Sequence, residues 1–458
     1  MTGQTAARTE RARAVSEQLV DGGVRAVALT MVDNAGVTRV KTVPVSRFER
    51  AVRFGIGLSP VFDVFLVNDH ITASAEVGGP TGDLRLMPDP FALRPLVAQP
   101  GWAWAPTDQY TQEGQVFPSC QRSFARRMKE RAEEVGIGVR MAFEVEWFVA
   151  RRSDDDQMVP GHRGPAYSAI VLAELSDLAA ELIQAMEDEG VGVEQFHPEY
   201  ATGQLEISIP PSDPVGAADA NVLLRQTIRG VCARHGLRAS FAPVAIAEEV
   251  GNGGHVHFSL WDGERNLFAG GEGPYGMTDR GEAFVAGILE ELPALVAVGA
   301  PSVASYLRLI PSHWAGAFAC WGRENREAAI RFVTGMVGSR EAAANTEVKC
   351  FDESANPYLV AGAMIAAGLA GIARGLRLPP EFTGDPGTLP EGQLADLGIH
   401  RLPQSLDEAT EHLEQSELLR EAMGSTLFEA FIAVRRAEAE AFASLDPEAV
   451  VAAHRWRY

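Results

Sequence analysis

Two carboxylates, Glu144 and Glu146, alternate with Phe143, Val145 and Trp147. That two-residue period belongs to a strand, so both acids project from one face, close together. Like charges so near each other repel, and burial makes ionisation costlier still. A Glu-x-Glu strand alone is more often a wet sheet face. Here further acids and imidazoles follow in apolar or Gly-rich surroundings: His197 and Glu199 with Glu206, His255 and His257, then Glu347. Several carboxylates with one or two imidazoles suit bound divalent cations, which would cancel the repulsion.

The run Gly251-Asn252-Gly253-Gly254 leads directly into His255-Val256-His257-Phe258-Ser259. Glycines permit close backbone approach to a ligand. His255 and His257 share a strand face with Ser259, so one imidazole can meet a metal and the other a phosphate oxygen. Arg308, Arg326 and Arg331 come next, Arg331 inside the apolar run Ala328–Phe332. A guanidinium among apolar residues needs an anion, either a neighbouring glutamate or a ligand carboxylate or phosphate. Three arginines beside an acidic metal cluster suit a polyphosphate held between cations and guanidinium groups.

These residues need elements to hold them. A chain of 458 residues with 46% hydrophobic content expects one large domain and a smaller one. A net charge of −21 argues against nucleic acid and anionic membranes as partners. Four scattered cysteines and a polar N-terminus without an apolar core point to reduced thiols in a cytoplasmic protein. The apolar stretch Tyr358 to Ile372 is short and rich in Ala and Gly, which predicts a buried helix. Residues 1–115 read as a small, mostly β domain after an opening amphipathic helix. Beyond Phe117-Pro118-Ser119-Cys120, helices alternate with strands: a helix from Gln121, the Glu144 strand, an exposed acidic loop from Arg151 to Pro165, and a helix over 175–189. A strand around Glu206, a helix opened by Asp213-Pro214, a strand over 238–247 and the His255 hairpin follow. The last third is mainly helical. The class is α+β in two parts.

In this order the landmarks resemble the glutamine synthetases. They are Phe-Glu-Val-Glu (143–146), His-Pro-Glu with Gly-Gln-Leu-Glu (197–206), Gly-Gly-His-Val-His-Phe-Ser (253–259), Ser-Tyr-Leu-Arg-Leu-Ile-Pro (305–311), Asn-Arg with Ile-Arg (325–331), and Glu-Val-Lys (347–349) before Ser-Ala-Asn-Pro-Tyr-Leu (354–359). The resemblance implies a β-grasp N-terminal domain (1–115) and a catalytic domain (116–458) with a curved antiparallel sheet. It also implies a dodecamer of two hexameric rings. Carried over, Glu146, Glu199 and Glu206 hold one cation, and Glu144, His255 and Glu347 another, with two or three Mg²⁺ or Mn²⁺ per site. Glu194, His257, Ser259, Arg326 and Arg331 line the ATP site, and Gly251, His255, Arg308 and Lys349 the glutamate site. Glu144, Arg326 and Glu347 are the catalytic set. The implied chemistry makes γ-glutamyl phosphate, from which an amine displaces phosphate.

Departures from the family pattern direct the substrate reading. Trp314 stands where the family places its flap glutamate, which binds and deprotonates ammonium. The neighbouring subunit's ammonium-binding Asp has only Asp63, or Ser59, as a match. Val250 and Lys349 replace an Asn and an Arg at the glutamate end. The loop 397–403 carries no tyrosine for adenylylation. The expectation is a glutamate–amine ligase for a primary amine other than ammonia. Trp314 and Asp63 form its amine pocket, and a short monoamine such as ethanolamine is slightly preferred over putrescine or another polyamine. A true glutamine synthetase and a catalytically silent relative are the rivals.

Overall fold

The computed structural model describes residues 2–153 and 158–458. The residues fall around two sheets, with helices on their outer faces. The first sheet uses only residues up to Tyr110. Its strands lie in the order Thr38–Pro44, Ala26–Val32, Trp102–Tyr110, Leu84–Pro88, Ile56–Leu58, with Arg94–Pro95 also on the Trp102 strand. Ala26–Val32 and Trp102–Tyr110 pair in parallel, as a β-grasp requires. Helices Thr2–Asp21 and Phe48–Phe54 cover one side, through Ala12, Val15, Leu19 and Phe48.

The second sheet has ten strands and holds the predicted chemistry. Its main path runs His400–Arg401, Phe318–Arg323, Ala328–Val333, Asn345–Val348, Gly254–Asp262, Gly138–Arg151, Gln204–Ser208, Gln195–Pro198. All neighbours along it are antiparallel except Phe318–Arg323 with Ala328–Val333. Alternation along Gly138–Arg151 buries Phe143, Val145 and Trp147 on the convex face, so Glu144 points into the concave one. Behind the sheet lies the predicted buried helix, Pro357–Arg374. It is long and apolar enough to cross a membrane, but it is mostly buried against helices Asp279–Gly299 and Gln121–Glu134.

Side chains at the junction fasten one sheet to the other. Asn356 caps the Pro357–Arg374 helix and also donates to the carbonyls of Val32 and Asp33. The fully buried Arg435 donates to the carbonyls of Asn34 and Pro301.

Two local expectations differ from what is observed. The strand expected over 238–247 is only Leu237–Ser240. Past it Pro243 has no N–H for a ladder, and the carbonyls of Ala242 and Pro243 instead accept from Asn252. Residues 154–157 of the expected loop lie outside the described residues. Of the remainder, Pro160 bridges Ala150, and His162 is buried against the Gln204 carbonyl.

Candidate active site

Strand register alone assembles the centre of the site. His255 lies opposite Glu144, Glu146 opposite Glu206, His197 opposite Glu206, and Glu347 between His257 and Arg331. A slip of one residue would send each set to the opposite face.

Two groups of potential ligands form, each with its donor atoms within 4.8 Å of one another: Glu144, His257 and Glu347, and His197, Glu199 and Glu206. In the first, His255 Nδ1 also approaches Glu144 Oε1 at 2.9 Å and Glu347 Oε1 at 3.4 Å. Both imidazoles therefore face this position, although only His255 was expected as its ligand. In the second, His197 Nε2 lies 3.1 Å from Glu206 Oε1, and Tyr167 donates to Glu199. Glu146 adjoins this group through its register partner. Its Oε2 is held by Gly253 N–H and Gln204 Nε2, both at 2.8 Å.

Electrostatics separate the two groups. Burial opposes ionisation of Glu144, but the His255 hydrogen bond and the charge of His257 outweigh it and hold the carboxyl at about 2. Burial opposes ionisation of Glu347 too, yet Lys349, both imidazoles and Arg331 keep it well below the usual range. Glu206 goes the other way, to about 8: burial and the charges of Glu144 and Glu146 raise it against the pull of His197. Glu199 is raised, chiefly by burial. Oxygen and imidazole donors in this arrangement fit hard divalent cations, whose charge would relieve the repulsion around Glu206.

The glutamate residues also come together. Arg308 is buried; its Nη2 reaches His255 Nε2 at 3.3 Å and the Lys349 carbonyl at 3.1 Å, while its Nη1 is buried without a partner. A Cβ on Gly251 would meet Pro243 O at 2.3 Å and Arg308 Cβ at 3.0 Å. Lys349 Nζ lies 3.0 Å from Glu347 Oε1. Of the nucleotide residues, Arg331 Nη1 bonds Glu347 Oε2 at 2.9 Å, Ser259 accepts from Trp261, and Glu194 and Arg326 are exposed. Arg326 stands in the turn between Phe318–Arg323 and Ala328–Val333 with no ion-pair partner among the described residues.

Asp63 does not belong to an amine pocket. It is 1% exposed, and its Oδ1 accepts from Gln109 and Gln121 inside the chain. Burial raises its carboxyl to about 6. A group so enclosed cannot meet an incoming amine or a neighbouring subunit. Trp314 is 59% exposed and adopts φ 55°, beside Ser312 at φ 61°. Two positive-φ residues without glycine make 311–316 a strained flap.

Gln204 had no role in the sequence reading although it lies in a quoted motif, and Gly253, read there only as one of several glycines allowing close approach, has a specific one. Gln204 holds Glu146 and also bonds the Gly251 carbonyl and Asn252. At Gly253 a Cβ would fall 2.4 Å from His255 Nε2 and 2.9 Å from Arg308 Nη2, so only glycine lets these two meet. Their spacing within the motifs was the available signal.

Two sequence profiles account for nearly the whole chain: "Glutamine synthetase N-terminal domain" matches residues 11–116, and "Glutamine synthetase, catalytic domain" matches 118–451. The chain belongs to the glutamine synthetase family. It is an enzyme, a ligase of the γ-glutamyl-amide kind, and the family's catalytic domain entails ATP and divalent cations. It is 53% identical to the gamma-glutamylpolyamine synthetase GlnA3 of Streptomyces coelicolor, over 98% of this chain and 97% of that one. It is 31% identical to the glutamine synthetase of Halobacterium salinarum, over 95% and 94%. Among solved structures, a glutamine synthase homolog aligns with a TM-score of 0.85 at 31% identity, covering 95% of this chain and 99% of that one. A GmaS–ADP complex aligns with a TM-score of 0.82 at 28% identity, covering 94% and 96%.

Proposed function

We propose that this enzyme joins the γ-carboxylate of glutamate to a polyamine such as putrescine, with ATP as co-substrate. The observation that carries the reading is the 53% identity to a gamma-glutamylpolyamine synthetase along almost the full length of both chains. It replaces the sequence-based preference for ethanolamine. That preference rested on the lost flap acid at Trp314, and another acid, Glu327, accepts from the backbone N–H of Trp314.

Arg308, with its unpaired Nη1 and its contact to the Lys349 carbonyl, receives a glutamate carboxylate. Arg326, free on its turn, and Arg331 face the nucleotide phosphates. A γ-carboxylate oxygen attacks the terminal phosphorus of ATP and ADP leaves; Arg326 steadies the charge on the transferring group. The amine nitrogen then bonds to the acyl carbon, and phosphate leaves with the electrons of the broken C–O bond. Mg²⁺ or Mn²⁺ held by Glu144, Glu146, Glu199, Glu206, His255 and Glu347 would supply charge neutralisation of the phosphates. The division near residue 115, the two-ring homo-oligomer and a cytoplasmic location complete the reading.

The test is phosphate release from ATP with glutamate, Mg²⁺ and a panel of putrescine, longer polyamines, ethanolamine and ammonium, with products weighed by mass spectrometry. The expected product is γ-glutamylputrescine or a longer homologue. Faster turnover with ethanolamine restores the monoamine reading, and faster turnover with ammonium makes the enzyme a true glutamine synthetase. Silence with all of them removes the ligase reading.

A further inference from the structure

Glu327 follows Arg326 at the entry to the Ala328–Val333 strand. Arg331 and Ala329 share a strand face, and Glu327 is the turn residue immediately before that strand. Arg331 uses that face to reach Glu347. The flap ends on it as well, since a Cβ on Gly316 would lie 2.9 Å from Ala329 Cα and 3.2 Å from Lys349 Cβ. Glu327 therefore lies beside the end of the flap, and its carboxylate meets the flap backbone at Trp314.

The residue as a whole is only 7% exposed. Oε1 accepts the backbone N–H of Trp314 at 2.8 Å. Among the described residues no Lys, Arg or His nitrogen forms an ion pair with it, and the Lys349 ammonium is bonded to Glu347. A buried carboxylate with one backbone donor and no counter-ion is costly to keep, and a ligand cation would offset that cost. Burial raises its pKa and Asp385 adds to the rise, while His313 and Lys349 oppose it. The local field thus favours either a proton or a cation at this carboxylate.

We propose that Glu327 is the specificity residue that receives the positively charged end of the amine substrate beneath the flap, in place of the acid absent at position 314. This inference rests on the ligase reading above. Trp314, whose backbone N–H bonds Glu327, carries an exposed ring that suits the methylene chain between two charged nitrogens. Glu327 thus provides the charge and Trp314 the apolar cover.

Glu327→Gln tests it, because the amide oxygen still accepts the Trp314 N–H while the charge is gone. Putrescine, cationic at neutral pH, is compared with hydroxylamine, a nucleophile largely uncharged there. Expected for E327Q is a fall of about 100-fold in kcat/KM for putrescine, the scale of removing one partner of a buried charge pair. Hydroxylamine turnover and the KM values for ATP and glutamate should change by less than about threefold, a difference of roughly 0.7 kcal/mol or less. Glu327→Asp, which keeps the charge, should retain part of the putrescine activity. Glu327→Ala should damage both reactions, since it also strips the flap of its acceptor. If E327Q matches wild type with putrescine, or loses putrescine and hydroxylamine turnover equally, Glu327 only props the flap and the inference is overturned. Wild-type protein inactive with every amine overturns the ligase reading, and this inference with it.

Discussion

Arg308→Lys separates glutamate recognition from every other function of the site. Arg308 is 6% exposed and has spent one terminal nitrogen on His255 and the Lys349 carbonyl. The other, Nη1, is buried without a partner. Lysine keeps the charge but has three donors on one atom and no fork. The variant therefore loses one charge-assisted hydrogen bond to the substrate carboxylate, about 1.5–3 kcal/mol, or about 10- to 150-fold in glutamate kcat/KM. The assay is phosphate release at saturating ATP and amine with glutamate varied, repeated with ATP varied. The ATP KM should hold within about twofold, some 0.4 kcal/mol. Gly253→Ala reaches the same outcome with the guanidinium intact, since its Cβ would sit 2.9 Å from Arg308 Nη2 and 2.4 Å from His255 Nε2. An unchanged glutamate KM in R308K would refute the assignment of Arg308. Equal damage to ATP and glutamate KM would show that Arg308 merely braces the sheet.

Three other outcomes are expected. Removing cations with EDTA should lower the melting temperature of wild type relative to millimolar Mg²⁺, by a linkage of about 2.7 kcal/mol at a hundredfold excess over Kd; Glu206→Gln, which removes the charge opposite Glu146, should lose most of that difference. Identical melting curves with and without EDTA would count against both ligand groups. Glu189 is buried, accepts from Thr227 and from Val97 N–H, and is raised by burial from 4.5 to about 7. The folded state then holds a proton that the unfolded chain has lost between about pH 4.5 and 7, so this contribution is present at low pH and disappears as pH rises through 7. Denaturant titrations should find E189Q at least as stable as wild type at pH 8, with the wild type alone gaining from this group at pH 6. Trp314→Ala should leave stability within about 0.5 kcal/mol, as for other exposed side chains, and raise the KM for putrescine more than that for ammonium; equal effects on both amines would dismiss Trp314 as a cover for the methylene chain.

The site was legible where chemistry and period coincide. Glu144 and Glu146 fixed a strand, and the His255-x-His257 pair fixed its neighbour, so the register contacts between them follow from alternation. The buried helix Pro357–Arg374 was visible in composition, and the helix Pro214–Arg234 in its Asp213 cap. What stayed hidden depends on which way a side chain turns after the chain folds. Asp63 matches the family's ammonium-binding acid by sequence, but the amides of Gln109 and Gln121, from distant elements, hold it inside. Glu327 drew no reading from the sequence, and its bond to the Trp314 N–H, across the flap, is what gives it a place.

Glu347 shows why the two ligand groups behave so differently before any cation binds. Its Oε2 faces Arg331 at 2.9 Å, and its Oε1 faces Lys349 at 3.0 Å with His255 at 3.4 Å. The carboxylate is thus already neutralised by the chain, and its geometry is set in advance. A cation held at Oε1 would compete with the Lys349 ammonium, while the Lys349 backbone carbonyl accepts from Arg308. Around Glu206 the chain offers only His197 against the charges of Glu144 and Glu146, and the carboxyl rises to about 8. Fixed positive charge from Arg331 and Lys349 balances the carboxylate at the first position, while around Glu206 burial and carboxylate repulsion outweigh the pull of His197. Lys349 touches both neighbours, with its ammonium on Glu347 and its backbone carbonyl accepting from Arg308.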